Sequence, residues 1–405
     1  MPFRTALSGL NAASADLRVT GNNIANSSTA GFKQSRTEFA DVFARSSTGI
    51  ASNAIGTGVR LAGVTQQFGQ GNVDFTGNNL DLALNGQGFF VLNDGGSQVY
   101  SRNGAFSVDR DGFVVNSSGQ RLQAYPPANA DGSSFSTGTL SDLQLDASEA
   151  PPRGTSEVTA TLNLRADAPD LSATAFDPVD AETFTYTSSL TSYDSLGQAH
   201  TSTLYFRNVG PLQWEAHTAI DGNMVGGAQL LEFAADGTLA SPSGAVSFGA
   251  YDPGNGAQPM DIAFDFTGAT QYGSTNSVSA LNQDGYSTGR LSSIDIDASG
   301  VVLARFTNGQ SNPLGQVALA NFSNPQGLQK LGDNAWGDAF AAGEVVLGAG
   351  GSGNFGDIQS GGLEGSNVDL AAQLVGLITA QRNFQANAQV ISTADTVTQT
   401  IINLR

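Results

Sequence analysis

A few short stretches of the sequence hold residue types that could do chemistry. Gly351-Ser352-Gly353-Asn354-Phe355-Gly356 matches G-x-G-x-x-G and follows Glu344-Val345-Val346-Leu347, which reads as a strand. Dinucleotide binding would need a helix to open on those glycines, so that its first amides meet the pyrophosphate. The chain continues instead as Asp357-Ile358-Gln359-Ser360-Gly361-Gly362, which will not hold a helix, and a linker is expected there. Ser107-Val108-Asp109-Arg110-Asp111-Gly112 has the start of a calcium loop, but its glycine comes early and no bidentate Glu follows, so it reads as a β-turn. Asp295 and Asp297 would share one face of a strand; carboxylates that cleave a glycosidic bond must flank it, and solvated acids beside a turn are expected. His200 and His217 are the only histidines. Neither has an evident second metal ligand or nucleophile nearby in sequence. The sequence therefore reads as a non-enzyme with no metal and no cofactor.

The elements that would have to position such residues point elsewhere. At 405 residues the chain has room for two to four domains at about 100–200 residues each. It is rich in Gly, Phe, Val, Thr and Ser, which favours short strands and tight turns. Thr183 to Thr187 alternates, Val301 to Phe306 is an apolar run closed by Asn308-Gly309, and Asp111-Gly112, Asp221-Gly222 and Asp284-Gly285 are turn dipeptides. A net charge of −19, with Lys33 and Lys330 the only lysines, argues against nucleic acid. Without cysteine there is neither a disulfide framework nor a thiolate site. No run reaches the roughly 18 apolar residues of a membrane helix, and MPFRTALSGL lacks the pattern of a cleaved secretory leader, so none is expected.

Charge is distributed unevenly. Residues 1–60 carry Arg4, Arg18, Lys33, Arg36, Arg45 and Arg60 against Asp16, Glu38 and Asp41, and residues 366–405 balance Asp369 and Asp395 with Arg382 and Arg405. The acidity therefore lies in the middle. Both ends read as helices. Phe3, Leu7, Leu10, Ser14, Leu17, Gly21 and Ile24 fall at heptad spacing behind a first-turn Pro2. Ser366-Asn367-Val368-Asp369 resembles a capping box, and Leu370, Leu374, Leu377, Phe384, Ala388, Ile391 and Ile402 follow, with Val390, Val397, Ile401 and Leu404 as a second stripe. The remaining face is amide rather than ionic: Gln373, Gln381, Asn383, Gln385, Asn387, Gln389, Gln399 and Asn403. Amides tolerate a partly wet interface without the desolvation penalty of several kcal/mol per buried ion. An intramolecular coiled coil accounts for one stripe; two stripes are expected to pack against other copies, and a head-to-tail contact of that kind generates an open helical polymer.

Ala6-Leu7-Ser8-Gly9-Leu10-Asn11-Ala12-Ala13, Thr20-Gly21-Asn22-Asn23-Ile24-Ala25-Asn26 and Thr29-Ala30-Gly31-Phe32-Lys33 closely resemble the N-terminal signature of bacterial flagellar rod and hook proteins. NLDLALNGQGFF at 79–90, Arg102-Asn103-Gly104-Ala105-Phe106 and the whole of 366–405 are similar to further blocks of that family. TSYDSLGQAHTSTLYF at 191–206, TQYGS at 270–274, QDGYSTGRLSSIDID at 283–297 and ALANFSNPQGLQKLG at 318–332 resemble its hook members in particular. The resemblance implies an α+β, mainly β fold of nested domains: paired helices from 1–26 and 366–405 in an inner tube, a connector at 27–70, a discontinuous β domain from 71–145 and 285–365, and an outer β domain at 146–284. It implies a polymer that joins rod to filament as a universal joint, exported by the flagellar apparatus without a cleaved signal, with rod, hook–filament junction and hook-cap proteins as partners besides itself, and no membrane insertion. Leu7, Leu10, Leu17, Ile24, Leu370, Leu374, Leu377, Phe384, Ile391 and Ile402 are the expected assembly residues. The alternatives are a rod subunit, against which the large central insertion counts, and a secreted adhesin or carbohydrate-active protein.

Overall fold

Alternating Val, Thr, Phe and Tyr between glycine turns builds strands, and strands dominate the computed structural model, which describes residues 2–43, 56–129, 132–145 and 149–403. Helix α1 (Pro2–Ala25) and helix α2 (Leu370–Asn403) lie at the two ends and pair with each other. The fold is thus α+β, mainly β. The chain divides into two compact units. Unit 1 comprises Met1–Asp146, Ser293–Arg305 and Ser311–Arg405; unit 2 comprises Ala147–Ser292 and Phe306–Gln310.

Unit 1 is discontinuous because its strands interleave early and late sequence. In its large sheet Ser311–Val317 pairs with Arg121–Tyr125, which pairs with Phe89–Asp94, then Ser97–Ser101, Ala335–Gly337 and Gln329–Gly332. Leu319 lies opposite Phe90, and Gln316 opposite Tyr125. Two smaller ladders repeat the pattern, Leu82–Asn85 with Asp357–Ser360 and Val73–Phe75 with Gly362–Glu364. Fully buried Leu84, Phe90, Leu92, Leu122 and Leu319 fill one core, while Phe89, Tyr100, Phe322 and Trp336 form a second with edge-to-face rings.

In unit 2 two five-stranded sheets share one core. Glu157–Arg165 pairs with Met260–Asp265, Thr270–Tyr272 and Ser277–Gln283, and a meander runs from Tyr186–Tyr193 to Leu239–Ser241. Val158, Leu162, Leu204, Phe206, Trp214, Leu231, Phe264 and Phe266 fill the space between them. Asp221-Gly222 makes the hairpin turn that its sequence predicts, with both residues at positive φ. The expected strand at 183–187 begins only at Tyr186, because Asp180 accepts the Glu182 amide and starts a short 3-10 turn over Ala181–Thr183.

Residues 27–70 are more structured than a plain connector. Strand β1 (Ser35–Val42) and strand β2 (Gly58–Gln66) pair antiparallel from Ser35↔Gln66 to Val42↔Gly58 and pack on α1. Residues 44–55 of that segment lie outside the described residues, as do Arg405 and Leu404 of the second α2 stripe, and the Ile401 side chain is not described.

Candidate assembly surface

Helix α1 has no acid in its first turn and no base in its last to favour its dipole, and α2 has only Arg382 and Asp395 among 34 residues. Propensity and packing must hold them. The cap of α2 is Asp369, whose Oδ1 accepts the amides of Ala371 (2.9 Å) and Ala372 (3.2 Å). This corrects the capping-box start at Ser366. Asn367 is instead a stitch, accepting the Gln34 amide and donating to the carbonyls of Gln67 and Gly69.

The helices run antiparallel. Asn23 Nδ2 donates to Gln373 Oε1 at 3.1 Å, while a Cβ on Gly9 would fall 2.4 Å from Asn387 Oδ1. Ala6, Ala13 and Thr20 are buried on α1 at seven-residue spacing, and Ala380 is buried on α2. Small residues there let the backbones approach. The heptad of large residues is displaced from this seam: Leu10, Leu17 and Ile24 flank it half-buried, and Phe3 and Leu7 are exposed. On α2, Leu377, Phe384 and Ile391 flank the seam half-buried, whereas Leu370, Leu374, Val375, Ile378, Val390, Val397 and Ile402 are exposed. Extending the 9/387 register, α2 outruns the start of α1 by about two turns.

The polar residues of α2 are less polar than their names. Thr379, Thr393, Thr396, Thr398 and Thr400 turn their hydroxyls onto carbonyls one turn back, and Asn387 does the same with its amide. Such groups can be covered without losing a partner. The hairpin β1–β2 lies along another face of α1, bonded by Ser8 to the Val59 amide, by Asp16 to Thr37 Oγ1 and by the buried Asn23 to both N–H and C=O of Ser35.

Where the chain enters and leaves the helical pair, three buried ionic side chains meet. Lys33 Nζ donates to Glu364 Oε1 at 2.6 Å and to Gly69 O at 2.8 Å; Arg102 donates to Glu364 Oε2 at 3.2 Å and to Gly86 O at 2.7 Å. The Gly71 amide adds a third donor to Glu364 at 2.9 Å. The side chains of Lys33 and Glu364 are wholly buried. Burial pulls the Lys33 ammonium below its ordinary value of 10.5, opposed by Glu364 and reinforced by Arg102. Gly31 makes the adjoining turn at φ +69°, its amide on Glu364 O at 2.7 Å, with the Asn103 backbone where a Cβ would go. The sequence reading missed this cluster, although a lysine so rare in the chain was a visible signal.

Aligned over 412 residues that cover 100% of both chains, the sequence is 39% identical to the flagellar hook protein FlgE of Escherichia coli (strain K12). The chain belongs to the flagellar hook protein family. This hook-family chain is also 39% identical to the Salmonella typhimurium flagellar hook protein FlgE, again with 100% of both chains covered. It is 32% identical to that of Borreliella burgdorferi, over 99% of this chain and 98% of the relative. Its segments match the family models Flagella basal body rod protein (3–33), Flagellar hook protein FlgE/F/G D1 domain (83–159), Flagellar basal body protein FlaE D2 domain (161–286) and Flagellar basal body rod FlgEFG protein C-terminal (359–404). The D1 match extends beyond Asp146 into the strand Glu157–Arg165, which belongs to unit 2. The crystal structure of the Helicobacter pylori flagellar hook protein FlgE2 has the same fold, with a TM-score of 0.54 at 16% identity over 72% of this chain and 100% of that one. The hook-family chain is a structural subunit of the flagellum that assembles with copies of itself and other flagellar parts.

The stretches that first looked chemical have structural roles in this hook subunit. Residues 351–356 form turns leading into the strand Asp357–Ser360, so no helix N-terminus meets the glycines. Asp109 caps its turn by accepting the amides of Asp111 and Phe113; Asp297 does likewise for Ser299 and Val301, while Asp295 is paired with Arg305. His200 is buried between two carboxylates, Nδ1 at 2.6 Å from Asp221 and Nε2 at 3.4 Å from Asp194. Burial alone would lower its pKa, but the two aspartates carry it above its ordinary 6.5. Among the described residues no group of three or more acids and histidines is placed to hold a metal ion.

Proposed function

We propose that this subunit polymerises into a curved tube that works as a universal joint, passing torque from the rod to the filament while bending. In this reading residues 1–26 and 366–405 line the inner tube, the β domains surround it, and Leu7, Leu10, Leu17, Ile24, Leu370, Leu374, Leu377, Phe384, Ile391 and Ile402 belong to the contacts that copies make with one another. The observation that carries it is the ion-poor α2, with Leu374, Val375, Ile378, Val390 and Val397 about half exposed or more among the described residues. A helix on the surface of a soluble monomer normally turns charge to that side.

Torsional stiffness then comes from the close seam of the helices. Bending asks that neighbours on one side approach and those opposite separate at every revolution, which shallow polar contacts between outer domains allow. The hairpin β1–β2 and its flanks lie where the chain passes from helix to β body and are suited to wedge between neighbours. Export would proceed through the flagellar apparatus without a cleaved signal, and assembly would involve the hook cap, the rod and the hook–filament junction proteins. Deleting residues 366–405 tests the reading by negative-stain microscopy and by near-UV spectra of the folded remainder. The full chain should form tubes on a seed, whereas the truncated chain should keep a folded unit 2 and form none. Tubes from the truncated chain would end the proposal.

A further inference from the structure

His200 lies on the strand Ala199–Gly210 of unit 2 with a carboxylate at each ring nitrogen, Asp221 Oδ2 at 2.6 Å from Nδ1 and Asp194 Oδ2 at 3.4 Å from Nε2. These two acids are the charged groups that face the ring, one from the turn after strand Tyr186–Tyr193 and one from the hairpin turn Asp221-Gly222. Tyr251, on the strand Val246–Tyr251, meets the ring edge-to-face at 6.4 Å, and Ser192 lies opposite it in register. An ionised carboxylate only accepts hydrogen bonds, and a neutral imidazole has a single N–H. The ring can therefore serve both acids only as a cation. Once it loses a proton, one carboxylate is left facing a bare lone pair.

The two acids are not equivalent. The Asp194 side chain is wholly buried; its Oδ1 accepts the amides of Leu196 and Gln198 at 2.9 and 2.8 Å, and its Oδ2 accepts Asn255 Nδ2 at 2.6 Å. The Asp221 side chain is 42% exposed, and its Oδ1 accepts the Thr201 amide at 2.9 Å. Stranding a carboxylate is costly in the interior and cheap where water can replace the lost donor. We infer that His200 is a proton-operated latch on the hairpin turn Asp221-Gly222: as a cation it holds Asp221 down, and as a neutral ring it keeps its one N–H for Asp194 and releases Asp221 to solvent. The latch governs a surface corner of unit 2, where Gly222, Asn223 and Met224 are all exposed. That corner is fixed in acid and loosened in alkali. Nothing in this depends on how copies assemble.

The chain has only two histidines, so a nitrogen-15 spectrum of the full-length protein holds two imidazoles, and His217→Gln tells them apart. Below the titration both nitrogens of His200 should carry a proton, and above it the proton should remain on Nε2. Burial opposes the charged ring but the two aspartates outweigh it, so the titration lies above 6.5. The amides to follow by hydrogen exchange are those of Thr201 and Asp221, which tie the turn to the strand. Corrected for base catalysis, their protection should fall by up to about tenfold per pH unit between 6.5 and the folded value and then level off. Protection of Leu196 and Gln198, whose amides Asp194 holds, should stay constant. Asp221→Asn, whose side chain can face either form of the ring, should remove the step at Thr201. A ring that does not titrate, a proton retained on Nδ1, loss of protection at Leu196 and Gln198 in place of Thr201 and Asp221, or a step that survives Asp221→Asn overturns the latch.

Discussion

Replacing Glu364 by Gln removes the one anion that Lys33 and Arg102 share and keeps the side chain's size. Two cations then remain side by side, the Lys33 side chain wholly buried and that of Arg102 4% exposed. Their other acceptors are the neutral carbonyls of Gly69, Leu84 and Gly86. Breaking a buried pair by removing one partner costs about 3–5 kcal/mol, because the surviving charge has lost both water and counter-ion. With a urea slope of about 2–3 kcal/mol/M, the unfolding midpoint of unit 1 should fall by roughly 1–2.5 M. The molecule supplies its own reporters, since its two tryptophans are Trp336, buried in unit 1, and Trp214, buried in unit 2. Trp214→Phe and Trp336→Phe backgrounds therefore read the two units separately in one fluorescence titration. The unit 1 curve should shift and the unit 2 curve should stay. A Lys33→Met/Arg102→Met/Glu364→Leu triple variant should recover most of the loss, because no unpaired charge is left. A shift below about 0.3 M for Glu364→Gln, or a triple variant as unstable as the single one, would show that the penalty of an uncompensated buried charge is not what holds this junction.

Gly31→Ala should destabilise unit 1 by about 1–3 kcal/mol in the same titration, since φ is +69° and the Asn103 backbone occupies the space a Cβ would need. For unit 2, the raised His200 pKa means that its ion pairs stabilise fully below the ordinary value of 6.5 and are lost as pH rises through the higher folded value. The lowered pKa values of Asp194 and Asp221 work in the other direction, contributing above 3.8 and fading as pH falls through their folded values. Melting of the parent unit 2 should therefore drop as pH rises above 6.5 through the folded value, and His200→Asn should flatten that drop; an unchanged pH profile in the variant would refute the assignment.

How much of this was legible in the sequence depended on whether a signal was local. Heptad spacing located both terminal helices, and Asp221-Gly222 announced its hairpin, because each pattern sits within a few turns of chain. Periodicity did not say which stripe faces which partner. Leu7 and Leu374 were expected among the assembly contacts and are exposed, while the close approach of the two helices within the chain is at small residues such as Ala6, Gly9 and Ala13, since helix backbones approach most closely where side chains are smallest. The cap moved from Ser366 to Asp369 because the Ser366 hydroxyl accepts the nearby Val368 amide and Asn367 is spent on the carbonyls of Gln67 and Gly69. The hairpin β1–β2 was hidden by its polar composition: it needs little core, having α1 to lie on. For the Lys33–Arg102–Glu364 cluster the rarity of lysine was the only signal, and neither its partners nor the pocket of His200 could be read, as each depends on pairings that strand order alone brings about.

Lys33 and Glu364 stand 331 positions apart, with the described strands in the span they close and the paired helices outside it. Whichever extremity of a folding chain is ordered first, it must wait for the other before the junction can close. The closure therefore acts as a sign of completeness: a chain stalled or shortened before Glu364 leaves Lys33 charged in a site without its counter-ion, and such a chain is poorly fitted to take a place in the growing structure.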